Sequence, residues 1–343
     1  MNLSDRSVCV IVAAYNAQDT IERAVSSALQ QEHVREVVVV DDASQDQTST
    51  RALSRDDGSG RLAIVTFAEN RGPAAARNAA LERSQSAYVC TLGADDYFLP
   101  DRISSLMRVG DLSWDMIADD ILIAPEHLQH REFSIISAGP PRLSRALDLE
   151  SFVRGNISRP DRPRGELGFL KPIIRRSFLH QHGLKYDERL RLGEDFALYT
   201  RSLLAGARFG IASTCGYVAI ERNSSISALH SARDLALLAA LDDEYLKNES
   251  RLSSRERTAL ASHRKATVRK YDYRRLLDRK KTHGWQAALT LVPTMPASVP
   301  YIAAETVRAK TSWLFEHRGD DVSLGFRFLL GIPEVQLQLS TAK

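Results

Sequence analysis

In the stretch VCTLGADDYFLP (89–100) an apolar run pivots on Gly93 and ends in Asp95 and Asp96, two like charges side by side. Adjacent carboxylates are costly to ionise together unless a cation or strong hydrogen bonds hold them. Two more acidic pairs stand out: Asp41–Asp42 closes EVVVVDD (36–42), and Glu194–Asp195 opens GEDFALYTRSLLAG (193–206). Acids in the first turn of a helix complement its dipole, so the third pair also has a purely structural explanation. Other catalytic plans lack their usual marks. The GSG at 58–60 sits in a polar turn, and GxxxxGK[ST], HExxH and GxSxG are all absent. Dehydrogenase, P-loop and simple hydrolase readings therefore lose their support.

The elements that must carry these acids are legible over the first hundred residues. VCVIVAA (8–14), EVVVVDD (36–42), LAIVTF (62–67) and AYVCTL (87–92) are unbroken apolar runs of strand length, as in strands covered on both faces. Helical patterns separate them: NAQDTIERAVSSALQQ, where Asp19 and Glu22 have the spacing of a capping box, and PAAARNAALERS, with Pro73 at its favoured first-turn position. Repeated β-α units of this length predict a parallel, doubly wound α/β sheet. Ligands bind beyond the carboxyl ends of such strands. Tyr15–Asn16, Asp41–Asp42 and Asp95–Asp96 all fall there.

VIVAAYNAQDTIERAVSSAL, VVVVDDASQDQT, ENRGPAAARNAAL, LGADDYFLP and GEDFALYTRSLLAG together resemble, in order and spacing, the inverting family 2 glycosyltransferases. The resemblance spans roughly residues 8–225 and is nearest to bacterial succinoglycan and other exopolysaccharide glucosyltransferases. It implies the GT-A fold, a mostly parallel sheet with helices on both faces, and transfer of a hexose, glucose in the nearest members, from a UDP-sugar. By the same resemblance Asp41 accepts from the uracil imide, and Ala13, Ala14 and Tyr15 lie near the base, although the family usually has proline at position 13. Arg71 and Arg77 fall beside the nucleotide; for Arg77 a plain helix-surface charge is the competing explanation. Asp95 and Asp96 match the acids at the ribose and metal, implying Mg or Mn, a hard ion that takes few carboxylates plus substrate phosphates. The usual Asp-Ala-Asp-Asp run here begins with Gly93, so one acid is missing. Asp195, with Glu194 beside it, occupies the position of the catalytic base. Arg222 and Ser227 match a polar segment near the diphosphate, and His230 follows them.

Composition frames the rest. A chain of 343 residues with 43% hydrophobic and 26% charged residues suits one sizeable α/β domain and a smaller appendage. We expect a glycosyltransferase domain over residues 1–230, divided at 110 into nucleotide and acceptor halves, followed by a helical, basic region over 231–343. Cys9, Cys90 and Cys215 lack metal-type spacing and read as buried thiols in a reducing compartment. The opening MNLSDRSVCVIV has no signal-peptide layout, so a cytoplasmic enzyme is expected, peripheral at the inner membrane face if it binds there. Residues 251–281 carry twelve Lys or Arg against three acids, a local +9 within a total of +3. With the uncharged, Trp285-containing stretch at 284–304, this segment suits a membrane surface and a lipid-linked oligosaccharide acceptor; a charged packing helix or a homodimer contact suits it equally. Nucleic acid is disfavoured because no recognised binding motif accompanies the charge. Residues 125–170 read as a loop over the site, Asp119–Asp120 as a solvated turn, and His180 and His182 as surface residues. The competing functions are a weakened nucleotide- or carbohydrate-binding scaffold, motivated by Gly93 and Ala13, and a sugar nucleotidyltransferase.

Overall fold

A computed structural model describes residues 5–109, 113–131, 133–137, 139–159, 165–221, 231–316 and 325–339. Arg222, Ser227 and His230 lie outside the described residues. The first units follow the hydrophobic pattern: β1 (Val8–Ala14), α1 (Ile21–Leu29), β2 (Val34–Asp41), α2 (Thr48–Leu53), β3 (Leu62–Thr66), α3 (Pro73–Arg83) and β4 (Tyr88–Gly93). Their strands pair in parallel in the order β3-β2-β1-β4. The register sets Ala13 between Val40 and Gly93, and Ala14 beside Asp41. The polar strand ends thus share one edge. Ile11, Ile21 and Val39 are among the fully buried side chains between the sheet and its helices, and each such burial contributes about 1.5–3 kcal/mol. Pro73 opens α3 as expected, after Gly72 at φ 90°. The expected capping box does not form: α1 starts at Ile21 after Thr20, and Glu22 binds Arg51 of α2 and Arg55 just past its end instead.

The second half adds β5 (Tyr97–Phe98), α4 (Arg102–Val109), β6 (Met116–Pro125), β7 (Phe133–Ser137), β8 (Leu143–Leu147), α5 (Leu149–Arg154), β9 (Ile173–Arg175), α6 (Arg176–Gln181), α7 (Glu194–Leu204) and β10 (Phe209–Glu221). Short β9 runs antiparallel between β4 and β6, and β6 pairs in parallel with β10. The segment 125–170 is therefore not a plain loop, since it holds two strands and a helix. Nor is Asp119–Asp120 a solvated turn. Both lie buried inside β6, where Asp119 pairs with Arg102 and Asp120 accepts the N–H groups of Leu330 and Ile332.

The C-terminal region begins with α8 (Ala232–Asn248) and α9 (Ser254–Leu289), each opened by a true capping box, and α10 (Val299–Glu316). Helix α9 breaks at Gly284, whose φ of 80° is outside the helical range. The region is less separate and less purely helical than its composition suggests. Leu238, Leu241, Ala259 and Leu260 join the main core, and the chain returns as β11 (Arg327–Phe328) on β6 and β12 (Val335–Leu339) on β7.

Candidate active site

At the carboxyl edge of the sheet lies a cleft of about 540 Å³. It brings together Tyr15, Arg77, Asp95, Asp96, Glu194 and Asp195. Ala13, Ala14, Asp41 and Arg71 sit at the same strand edge without lining it. Asp41 is 3% exposed and accepts from the Ser44 N–H (2.9 Å) and Ser49 Oγ (2.5 Å). A carboxylate has about four lone-pair sites, so capacity for a further donor remains. Its neighbour Asp42, given no role by the motif, accepts the N–H groups of Arg71 (2.7 Å) and Gly72 (2.8 Å) and fixes the turn into α3. The Arg71 guanidinium turns outward, 3.4 Å from Glu188 and over the Phe67 ring.

Asp96 is held by two donors that the sequence did not single out. The Tyr217 hydroxyl donates to Oδ2 (2.6 Å) while accepting the Gly93 N–H (3.0 Å), and the Ile220 N–H donates to Oδ1 (2.9 Å). Burial and the charge of Asp95 push Asp96 up to about 7, against those hydrogen bonds and the charge of Lys171. This geometry explains Gly93. A Cβ there would lie 2.5 Å from Asp96 Oδ2, so the space of the missing acid is filled by the Asp96 carboxylate. Two repelling, oriented carboxylates fit a hard cation. No third His, Cys, Asp or Glu joins them among the described residues, so phosphate and water would have to complete its shell.

Asp195 lies at the start of α7, after Gly193 in a left-handed conformation (φ 80°) that strains any other residue, with the Leu238 side chain packed 2.6 Å from where a Cβ would be. It is 7% exposed. Lys171 Nζ donates to Oδ2 at 2.5 Å, and Arg77 Nη1 lies 3.4 Å from Oδ1 while also binding Glu194. Arg77 is therefore not a free surface charge: it lines the cleft and is paired with the acids that open α7. It spends its charge on the acidic pair. Burial would raise the pKa of Asp195, but the charges of Arg77 and Lys171 outweigh it and hold the carboxyl below its usual value. Lys171 had no sequence signal: it follows an apolar GFL and reaches Asp195 only across the fold. His263, Thr267 and Lys270 of α9 also line the cleft, hidden in the sequence by the basic run around them.

A mostly parallel sheet with acids just past β4 and a buried carboxylate opening α7 has the GT-A fold of glycosyltransferases. The chain belongs to glycosyltransferase family 2. The family profile Glycosyl transferase family 2 matches residues 9–121. Succinoglycan biosynthesis protein ExoU of Rhizobium meliloti is 45% identical over 307 residues, 89% of this chain and 88% of that protein. The Escherichia coli UDP-Glc:alpha-D-GlcNAc-diphosphoundecaprenol beta-1,3-glucosyltransferase WfgD is 31% identical over 116 residues, 33% of this chain and 45% of that protein. Among solved structures, S. aureus TarS 1–349 in complex with UDP-GlcNAc shares the fold at a TM-score of 0.56 and 20% identity, over 80% of this chain and 74% of that one.

Proposed function

We propose that the protein moves a hexose, glucose in the first instance, from a UDP-sugar to a hydroxyl of a lipid-linked oligosaccharide in exopolysaccharide assembly, inverting the anomeric centre. One observation carries the reading: a single cleft holds the acidic pair at β4 and, apart from it, a buried, cation-flanked carboxylate at Asp195. Asp95 and Asp96 would hold a Mg or Mn ion, which when bound neutralises charge on the departing diphosphate. Asp41, Ala13, Ala14 and Tyr15 would bound the uracil end, with Arg71 beside the nucleotide. Asp195 takes the proton from the acceptor hydroxyl as its oxygen attacks the anomeric carbon on the face opposite the diphosphate, while Glu194 keeps Arg77 in place. The names of ExoU and WfgD support the pathway and the lipid-linked acceptor.

The donor is tested by thermal unfolding with nucleotide sugars, with and without Mn. UDP-glucose plus Mn is expected to raise the melting temperature, as a ligand at about 100 times its Kd stabilises by about 2.7 kcal/mol. Stabilisation by a UDP-sugar that is never turned over, with Mg or Mn and a suitable acceptor present, returns the protein to the scaffold reading. Release of pyrophosphate from UTP and a sugar phosphate makes it a nucleotidyltransferase.

The membrane part rests on the tip of the helical hairpin. The end of α9 and α10 enclose a small core of their own, around Leu276, Met295 and Ile302. Trp285, Leu289, Val299 and Val307 are exposed beside Lys280, Lys281 and Arg308. No helix among the described residues is long and apolar enough to cross a membrane, so this tip would lie on an anionic surface. Sedimentation with phosphatidylglycerol vesicles should fall on Trp285→Ser; equal sedimentation of both forms removes the tip from the reading.

A further inference from the structure

Residues on α9 form one wall of the cleft, and that wall carries polar groups the mechanism above does not use. Lys270 Nζ donates to Ser158 Oγ, which donates to Glu166 Oε1. Among the described residues Glu166 Oε2 is buried with no hydrogen-bond partner, a state that costs about 1–3 kcal/mol until a donor arrives. Burial pulls the Lys270 ammonium below its usual pKa, against the charges of Glu166 and Glu305. The half-buried Phe169 ring lies among the same lining residues.

The position of this wall follows from a line of neighbours. The charge of Lys171 acts on both Asp96 and Asp195, and its Nζ touches Asp195. Phe196, the next residue, stacks on His263 of α9 with ring centroids 4.4 Å apart, and Asp242 fixes that histidine through Nδ1 at 2.7 Å. Lys270, two turns beyond His263, projects from the same helix face. Asp195 is thus joined to Asp96 through Lys171 and to the α9 wall through Phe196 and His263. Inversion brings the acceptor in from the side of Asp195, away from Asp95 and Asp96.

We infer that Ser158, Glu166, Phe169 and Lys270 form the acceptor subsite, and that it takes the terminal pyranose of a neutral saccharide. The inference rests on the glycosyltransferase reading above. The chemistry is that of a sugar face. Glu166 and Lys270 supply an acceptor and a donor of opposite charge, the pair suited to two neighbouring hydroxyls, and their charges cancel, which favours a neutral sugar over a uronate. The Phe169 ring supplies an apolar surface for the C–H face of the ring.

Saturation-transfer NMR on the full chain with UDP bound tests this with cellobiose as the probe and glucuronate as the charged control. Cellobiose should bind the wild type, and Glu166→Gln and Lys270→Met should each weaken it about tenfold or more, as loss of a hydrogen bond to a charged group does. UDP affinity should not change in either variant. Lys270→Arg, which keeps the charge, covers the case in which Lys270→Met does not fold. No cellobiose signal with the wild type, equal binding by the variants, or stronger binding of glucuronate overturns the subsite. Failure of the wild type to bind UDP or hydrolyse UDP-glucose strikes the glycosyltransferase reading instead, so the two failures are distinct.

Discussion

Asp195→Asn should lower transfer by roughly 10²–10⁴-fold, the range that a positioned general base contributes, while UDP binding is kept. Asparagine preserves shape but cannot take the acceptor proton. Its second effect has an opposite sign to that expected of a diphosphate-binding residue. Lys171 loses the charge of its partner at 2.5 Å, and the cleft gains one net positive charge, so UDP should bind as well as before or more tightly. Turnover by UDP release and UDP affinity by calorimetry read the two effects apart. Transfer within a few-fold of wild type would remove Asp195 from the base position. The same groups set the pH dependence. Asp195 faces Arg77 from α3, Lys171 from the segment before β9, Tyr186 from the segment before α7, and Glu194 and Tyr199 from its own helix. A base works above its pKa, so with Asp195 held below its usual value its own step in the acidic limb of kcat/KM should lie low, below that of Asp96, which is pushed up to about 7. Lys171→Met removes one of the two cations that hold it down. The limb should move to higher pH, and only in part, because Arg77 remains.

How much of this was legible in the sequence depends on how local each feature is. The β-α units of the first half announce themselves because apolar runs and helix starts are properties of neighbouring residues. The acidic ends of β2 and β4 and the pair opening α7 were legible for the same reason, as fixed offsets from those runs. What surrounds them was not. Asp119 and Asp120 resembled a solvated turn because two adjacent acids normally want water. Their partners come from Arg102 and from the backbone of Leu330 and Ile332, more than two hundred residues along the chain in the last case. Lys171, Tyr217 and Arg77 meet the acids across the cleft, and no spacing rule links them. Helix α9 hid its inner face by another route. The face that packs inward is built from Ala259, Leu260, His263 and Thr267, a narrow and partly polar stripe that a run of arginines obscures.

Arg102→Met should cost about 3–5 kcal/mol of stability, the penalty for leaving one member of a buried ion pair alone. Arg102 is 1% exposed and Asp119 is 1% exposed. The guanidinium donates to Asp119 through Nε (3.1 Å) and Nη2 (2.8 Å), and lies over the Phe98 and Tyr217 rings. Burial would pull its pKa down, but Asp119 outweighs burial and raises it, so the charge is present throughout the working range. Methionine fills the space but leaves the Asp119 carboxylate, among the described residues, with the Gly216 N–H at 2.7 Å. Replacing both partners, Arg102→Met with Asp119→Leu, should recover most of the loss, since apolar residues of similar volume often match a buried pair. Denaturant unfolding of the three forms measures this. A loss below about 1 kcal/mol in the single variant would mean that water reaches Asp119. The pair also reaches the proposed chemistry. Arg102 Nη2 donates to the Lys171 carbonyl at 2.6 Å, and Lys171 in turn holds Asp195. Below its melting temperature the single variant should therefore show the acidic limb of kcat/KM moving upward, in the same direction as in Lys171→Met. The double variant should keep that shift while regaining stability, because the Lys171 carbonyl still lacks its donor. Recovery of both together would confine Arg102 to the core and leave Lys171 positioned by its own loop.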